Sequence, residues 1–338
     1  MDLSRLSEIM RSQPAYRYRQ INRALYQDYV SSWDEVSSLP KELRQALSEA
    51  CPLDIQAELR PLSWGGGKAL ISFKDGVSVE TVLIKQKDKD GDRYTACLSS
   101  QAGCPLACTF CATGQGGFQR NLKAEEIVEQ AVFWQRQLKP KGKKLDNIVF
   151  MGMGEPFLNY AEFIKAAKFL NNQETMNIGA RRLSVSTIGL TEGIKRLAGE
   201  PLQMNLAISL HAADEGTRSR LMPATKGKQI SELLRTVDQY IKKTGRQVMF
   251  EYLLIKGIND RDEDAEALAE LMHRPLYFLN LIPYNPTPGR FKPASPERIA
   301  AFQGLLQAEG VKATVRLSFG SEIGAACGQL AGKAAKKK

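Results

Sequence analysis

The sequence predicts an α/β protein built around an incomplete TIM-like (βα)6 barrel, because apolar strand-like runs alternate with helical stretches from Tyr94 onward. The strand-like runs lie at 94–98, 147–151, 182–187, 204–210, 249–255 and 277–282, and the helical stretches at 123–137, 160–171, 190–198, 230–243, 262–273 and 295–309. Cysteine, glycine, serine and histidine residues follow the carboxyl ends of these strands. A barrel brings such ends to one face, whereas a doubly wound sheet spreads them along a crevice. We therefore expect a partial barrel, open on one side to admit a large substrate.

Composition and charge limit the class of protein. The 338 residues are 43% hydrophobic, which is enough for a real core, and 47 Lys and Arg against 37 Asp and Glu give a net charge of +10. This charge favours a polyanionic partner. The basic clusters are Arg17/Arg19/Arg23, Lys139/Lys141/Lys143/Lys144, Arg181/Arg182 and the tail Lys333/Lys336/Lys337/Lys338. No apolar run resembles a signal peptide or a membrane span, so we expect a cytoplasmic protein with no membrane partner.

Two smaller segments precede the predicted barrel domain at 94–338. Residues 1–60 are predicted to form short helices that begin near Pro14, Ser32 and Pro40. This helical accessory domain is expected to contact RNA through its arginines, the alternative being a cap that only packs. Residues 61–93 are predicted to form a β-hairpin extension with a turn at Asp75-Gly76, followed by an exposed loop at 85–93.

The most specific chemical signal is a run of three cysteines, Cys104-Pro-Leu-Ala-Cys108-Thr-Phe-Cys111. Thiolates gathered on one short loop are suited to hold iron in an iron–sulfur cluster, and three ligands leave the fourth iron of a cubane open for chemistry. A structural zinc site is the alternative, with Cys97 as a fourth ligand, although no second cysteine pair is present. A disulfide framework does not suit so long a chain with six cysteines. Cys51 has no motif around it and is predicted to be a buried apolar residue.

A second motif, Gly152-Met-Gly154-Glu155-Pro, follows an apolar strand. Glycines let the backbone approach a ligand closely, and the Glu155 carboxylate can accept hydrogen bonds from an amine. Only two histidines, His211 and His273, are present, which disfavours a mechanism that needs several histidine ligands or bases. His211 is expected to position other groups at most.

These motifs together resemble the RlmN/Cfr family of radical S-adenosylmethionine (SAM) RNA methyltransferases, nearly from end to end. The matching blocks are Cys97-Leu-Ser-Ser-Gln-Ala-Gly-Cys104, the three-cysteine loop, Asn121-Leu122, Phe150 to Pro156, Arg181 to Thr187, Asn205 to His211, Asn280 to Pro286 and Ala325-Ala-Cys327-Gly-Gln-Leu330.

The resemblance implies the cofactors and the site residues. It implies a [4Fe–4S] cluster on Cys104, Cys108 and Cys111, and two molecules of SAM per turnover. The SAM contacts carried over by match are Gly154, Glu155, Ser186, Ser209, Leu210, His211 and Asn285. Glu80 matches a position assigned as a proton acceptor in the family, the alternative being an exposed hairpin carboxylate.

The resemblance also implies a mechanism with two further cysteines. Carbon 2 of adenine is not nucleophilic, so direct transfer of the SAM methyl group would fail. In the family, the cysteine matching Cys327 is methylated by a first SAM, and a 5′-deoxyadenosyl radical from a second SAM takes hydrogen from the S-methyl group. The methylene radical adds to adenine. The cysteine matching Cys97 then assists proton removal, and a Cys97–Cys327 disulfide forms as the protein–RNA bond breaks.

The implied substrate is an adenosine of 23S rRNA in the peptidyl transferase centre and, in some bacteria, of tRNA. The implied partners include an electron donor such as flavodoxin or ferredoxin, and the protein is expected to be a monomer. The run Gly154-Glu155-Pro-Phe-Leu-Asn favours the carbon 2 enzymes, whereas Arg316-Leu-Ser-Phe-Gly320 is more similar to the Cfr branch, which methylates carbon 8 and confers antibiotic resistance. Two further hypotheses are an RNA-binding protein whose cluster is only structural and a radical SAM enzyme that acts on a small molecule or peptide.

Overall fold

A computed structural model describes residues 1–62, 65–89, 91–287, 289, 291–316 and 320–332. The predicted basic tail at Lys333 and Lys336 to Lys338 lies outside these residues. The described elements are, in chain order, α1 (Leu6–Met10), α2 (Ala15–Tyr26), α3 (Lys41–Ala50), β1 (Ala57–Pro61), β2 (Gly67–Ser72), β3 (Ser78–Asp88), β4 (Gly91–Cys97), β5 (Gln101–Gly103), α4 (Ala112–Gln115), β6 (Phe118–Asn121), α5 (Ala124–Leu138), β7 (Asn147–Phe150), α6 (Tyr160–Asn171), β8 (Leu183–Thr187), α7 (Thr191–Leu197), β9 (Asn205–Ser209), α8 (Glu215–Leu221), α9 (Ile230–Thr244), β10 (Val248–Leu254), α10 (Asp262–Met272), β11 (Tyr277–Pro283), α11 (Pro296–Ala308) and β12 (Ala313–Val315).

The N-terminal helices form a small unit with its own core. Trp33 lies at its centre and donates a hydrogen bond of 2.7 Å from Nε1 to the carbonyl of Cys51, which is buried as predicted. Ser32 and Glu35 form a capping box at the short 3₁₀ helix that begins with Trp33. The unit is attached to α5 by Arg136, which donates a bond of 2.7 Å to the carbonyl of Leu53.

Most strands belong to one sheet with the order β1-β2-β3-β4-β7-β8-β9-β10-β11-β12 among the described residues. From β4 to β12 every neighbouring pair is parallel. Because the order follows the sequence without reversal, the chain winds in one direction, as in a barrel and not as in a doubly wound sheet. Within the described residues the end strands β1 and β12 do not pair, so the barrel is incomplete, as predicted.

Two predictions about the extension before the barrel are wrong. The predicted helical segment ends early, since β1 pairs antiparallel with β2 from Ala57 opposite Ile71 to Pro61 opposite Gly67. The predicted loop at 85–93 is the end of a long hairpin, in which β3 and β4 pair as far as Asp88 opposite Gly91. Backbone hydrogen bonds between strands do not depend on side-chain polarity, so the polar composition of this stretch concealed the pairing.

The helices predicted between the strands are present within one or two residues of the expected bounds. Two short strands, β5 and β6, were not predicted and pair antiparallel on either side of the three-cysteine loop. Among the described residues, no helix has the length and apolar character needed to cross a membrane.

Candidate active site

A cavity of about 540 Å³ lies within the barrel, lined by strand residues such as Thr95, Val149 and Met249 and by the loops that follow the strands. The predicted site residues that line it are Cys97, Cys104, Cys108, Cys111, Gly154, Glu155, Ser186, Ser209, His211 and Cys327. The fold therefore brings together residues from six separate segments of the chain at one site.

The three-cysteine loop runs from the end of β5 to the start of α4 and is tightly fixed. Gly103 has φ +76°, and a Cβ atom there would lie 1.9 Å from the Gly117 carbonyl oxygen, so only glycine fits. The amide of Cys104 donates a bond of 3.0 Å to the same oxygen, and the amide of Thr109 donates one of 2.9 Å to the Leu221 carbonyl. The loop is thus held by the β5–β6 pair on one side and by α8 on the other.

The thiols of this loop are half-buried and lie close enough to one another to interact electrostatically. Burial raises the pKa of Cys104 to about 11, and the neighbouring Cys111 contributes to the rise. Burial also raises the pKa of Cys108, with added contributions from Cys111, Cys104 and Glu155. Within the described ranges, no three His, Cys, Asp or Glu side chains converge as the ligands of a single metal ion do. The cysteines instead lie along the wall of one cavity.

The glycine-rich segment after β7 passes directly against the start of β5. Gly154 has φ +100°, and a Cβ atom there would lie 2.5 Å from Cβ of Gln101. The Glu155 amide donates a bond of 2.8 Å to Oε1 of Gln101. The Glu155 carboxylate accepts bonds from the amides of Phe157 (3.1 Å) and Ile188 (2.8 Å), while burial raises its pKa to about 7. The segment therefore places a fixed, buried carboxyl group beside the three cysteines.

The ends of β8 and β9 contribute hydroxyl groups and an imidazole. Ser186 and Ser209 have their Oγ atoms 3.4 Å apart. His211 has φ +58°, and its Nδ1 accepts a bond of 3.2 Å from the Leu253 amide. Burial, with Arg218 nearby, lowers the pKa of His211 to about 3. The imidazole is therefore neutral at ordinary pH and acts as a fixed acceptor.

Cys97 and Cys327 lie in different surroundings at the same cavity. Cys97 is buried on β4, where its carbonyl accepts a bond of 2.8 Å from Thr81 Oγ1, and burial raises its pKa to about 12. Cys327 is exposed and lies on the segment 320–332, here called the Cys327 loop. The charge of Cys327 also contributes to the raised pKa of Cys97, which indicates that the two thiols lie near one another. Both are free thiols.

Comparison with known proteins identifies the family. Residues 98–271 match the Radical SAM superfamily. The solved structure of a radical SAM methyltransferase from Sphaerobacter thermophilus is similar, with 44% identity, a TM-score of 0.91 and coverage of 98% of each chain. The probable dual-specificity RNA methyltransferase RlmN of Chloroflexus aurantiacus is 44% identical over 98% of this chain and 92% of its own. The chain belongs to the RlmN family of radical SAM methyltransferases. The ribosomal RNA large subunit methyltransferase N of Nitrosopumilus maritimus, 43% identical over 93% of this chain and 92% of its own, agrees with this assignment.

The family implies a [4Fe–4S] cluster and SAM, and the residues at this cavity fit both. Cys104, Cys108 and Cys111 form a soft sulfur donor set on one loop, and the raised pKa values of Cys104 and Cys108 show that burial disfavours the free thiolates, which ligation to a positively charged iron–sulfur core would stabilise. For the polar part of SAM, the cavity presents the carboxylates of Glu155 and Glu251. Oε2 of Glu251 is buried without a hydrogen-bond partner among the described residues, so it remains available as an acceptor.

Three predicted site residues lie outside the cavity lining. Leu210 is buried, its amide bonded to the Glu251 carbonyl at 3.0 Å. Asn285 donates from Nδ2 to the Cys327 carbonyl at 3.3 Å and so holds the Cys327 loop. Glu80 is buried and pairs with Lys68 at 2.8 Å, which rules out the alternative of an exposed hairpin carboxylate.

Sequence reasoning missed three charged residues at the site. Arg316 and Glu251 line the cavity with Nη1 and Oε2 4.0 Å apart, and the pKa of Arg316 is raised, first by the charge of Cys327. Arg218 is buried on α8 and donates to the carbonyls of Ile188 (2.6 Å) and Leu210 (3.3 Å). Glu251 lies in a predicted strand, so the alternation of inward-facing and outward-facing side chains along that strand could have identified it. No local pattern marks the two arginines.

Proposed function

We propose that this protein methylates carbon 2 of an adenosine in 23S rRNA, and also in tRNA, with Cys327 as the methyl carrier. One observation carries the proposal: two further cysteines, Cys97 and Cys327, line the same cavity as the three proposed cluster ligands. A structural cluster in an RNA-binding protein has no need of them. The names of the relatives, which include dual-specificity RNA methyltransferase and ribosomal RNA large subunit methyltransferase, support RNA as the substrate.

The two thiols have surroundings suited to different roles. Cys104, Cys108 and Cys111 would hold the cluster, and SAM bound there would supply a methyl group in one encounter and radical chemistry in a second, so that two molecules would be used per turnover. Cys327 is exposed on its loop, where it can accept the methyl group and meet an incoming base. Cys97 is buried on β4, and its raised pKa keeps the thiol protonated until binding of the substrate changes its surroundings. It then assists proton removal from the base, and its sulfur bonds to that of Cys327 as the S–C bond to the base breaks. The electron pair of that bond stays on the methylene carbon, which takes up a proton and becomes the methyl group, and the unpaired electron of the adduct would return to the cluster.

The charge around the cavity supports a polyanionic substrate. Arg181 and Arg182 are exposed residues of the cavity lining. Arg182 also lines a neighbouring cleft of about 730 Å³ together with Lys139, Lys143 and Lys144. Two aspartates, Asp28 and Asp146, also line this cleft, so its four basic side chains leave it with a net positive charge that favours phosphate groups. A base from folded RNA would leave its stack to enter the barrel. An external reductant such as flavodoxin or ferredoxin completes the proposal, with the protein acting as a monomer.

The decisive experiment is a nucleoside analysis. Protein reconstituted anaerobically with iron and sulfide is incubated with SAM, reductant and either 23S rRNA or tRNA, and the digested RNA is analysed by mass spectrometry. We expect 2-methyladenosine, and none with Cys327→Ala. An 8-methyladenosine product assigns the Cfr-type reaction instead. SAM cleavage without methylated adenosine in either RNA refutes the RNA assignment.

A further inference from the structure

A buried ion pair lies behind the Cys327 loop, outside the cavity lining. Lys68 on β2 and Glu80 on β3 have Nζ and Oε1 2.8 Å apart, with side chains only 10% and 4% exposed. Glu80 is opposite Leu70 in the β2–β3 register, and Lys68 shares the face of Leu70, so both charges point to one side of the sheet. Buried ion pairs contribute little net stability because desolvation offsets their attraction. The other contacts of these two side chains therefore indicate their role.

The pair holds the Cys327 loop on both sides of the reactive thiol. Lys68 Nζ donates a bond of 3.1 Å to the carbonyl of Gly324, which precedes Cys327. Glu80 Oε2 accepts bonds from the amides of Ala331 (2.6 Å) and Gly332 (3.3 Å), which follow it. One ion pair thus fixes both ends of the short stretch that carries Cys327.

Glu80 also contacts the segment that leads into Gly154 and Glu155. Its amide lies 3.3 Å from Sδ of Met153, and its carbonyl accepts a bond of 2.6 Å from Ser99 Oγ, which in turn accepts one of 2.8 Å from the Met153 amide. Gly332 packs so closely that a Cβ atom there would lie 2.7 Å from Cε of Met153. Glu80 therefore links the Cys327 loop to the glycine-rich segment.

We propose that Lys68 and Glu80 form a clamp that positions the Cys327 loop over the cavity. The inference rests on the proposed role of Cys327 as methyl carrier. Oε1 of Glu80 pairs with Lys68, and Oε2 accepts hydrogen bonds from two backbone amides. Glu80 does not line the cavity. Glu80 is thus a positioning residue and not the proton acceptor that the family resemblance implies.

The first test needs neither RNA nor SAM. In Glu80→Gln, loss of the charged acceptor weakens its bonds to Ala331 and Gly332, so hydrogen–deuterium exchange of the peptide containing them becomes about tenfold faster, as a loss of about 1.4 kcal/mol gives. Lys68→Met changes exchange in the same direction.

A second test uses SAM. Both variants are expected to methylate Cys327 more slowly, as measured by peptide mass spectrometry. Glu125→Gln, which breaks the exposed Lys165–Glu125 pair, is the matched control and leaves both quantities unchanged.

A proton acceptor predicts a different result. If Glu80 is the proton acceptor of the reaction, Glu80→Gln shows wild-type hydrogen–deuterium exchange and wild-type methylation of Cys327, but RNA accumulates bound to the protein. Lys68→Met then behaves like wild type in all three measurements. This result would overturn the clamp. If wild type modifies no RNA while exchange still rises in the variants, the proposed function fails and the clamp stands. Should Glu80→Gln not fold, the double variant Lys68→Met/Glu80→Leu, which leaves no buried charge unpaired, tests the same exchange prediction.

Discussion

The backbone amide of Ala112 donates a hydrogen bond of 2.7 Å to the carbonyl of Gly328. Ala112 follows the proposed cluster ligand Cys111, and Gly328 follows Cys327, so the two reactive segments are joined directly. Thr113 strengthens the contact with a bond of 2.6 Å from Oγ1 to the Leu330 carbonyl. The three-cysteine loop and the Cys327 loop therefore form one unit, in which displacement of either segment disturbs the other.

Replacement of Cys104, Cys108 or Cys111 by Ala is expected to remove most of the iron and all reductive SAM cleavage, because two thiolates do not hold the cluster. Iron and sulfide content after anaerobic reconstitution measures the first effect, and product analysis the second. Cys51→Ala, in the separate N-terminal core, is the control and retains iron. A full iron content in Cys108→Ala would contradict the assignment.

Two glycine substitutions are expected to have opposite effects on stability. Gly154→Ala places a Cβ atom 2.5 Å from Gln101 at φ +100°, and we expect a loss of about 2 kcal/mol or more, together with loss of SAM binding. Gly304→Ala, on α11, meets no atom within 4 Å and is expected to gain about 0.5–1 kcal/mol. Urea unfolding measures the stability of each variant, and equilibrium binding measures its affinity for SAM. Equal stability of the two variants would show that Gly154 is not sterically constrained.

His211 is expected to make folding sensitive to acid. Its pKa is lowered from 6.5 to about 3 in the folded protein, so below pH 6.5 the unfolded chain binds a proton that the folded chain does not. The free energy of unfolding therefore falls as pH drops from 6.5 towards 3, by up to about 1.4 kcal/mol per pH unit. His211→Asn, which tolerates the positive φ, removes this part of the slope in urea titrations. His273→Asn at the surface is the matched control, and equal slopes in wild type and His211→Asn would refute the prediction.

Lys143 and Lys144 are expected to bind phosphates of the RNA. Both are exposed residues of the basic cleft beside the cavity. If each neutralises one phosphate, the double Ala variant reduces the slope of log K against log salt by about 0.7–0.9 per lysine. Binding measured at several salt concentrations tests this, while SAM cleavage without RNA stays unchanged. Lys195→Ala, which removes the partner of Glu192 on α7, is the control. An unchanged slope would place the RNA elsewhere.

Much of the barrel was predictable because its signals are local. The hydrophobic patterns that indicate strands and helices each extend over only a few consecutive residues. Helix starts are also marked locally, at Pro40, Ser32 and Ser295. The three cysteines lie on one loop, so their spacing alone indicates shared ligation. The contact of β1 with β2 and the full length of the β3–β4 hairpin were missed, since polar or short strands form no clear alternation.

The sequence by itself determined the order of strands and helices, the three-cysteine loop and the family. Only the tertiary structure decided that Glu80 is buried against Lys68 and bonded to Ala331, and that Arg316 faces Glu251. The physical reason is that periodicity reflects backbone geometry over one or two turns. The partner of a buried charge, in contrast, depends on which distant segments the barrel brings close enough for a hydrogen bond or an ion pair.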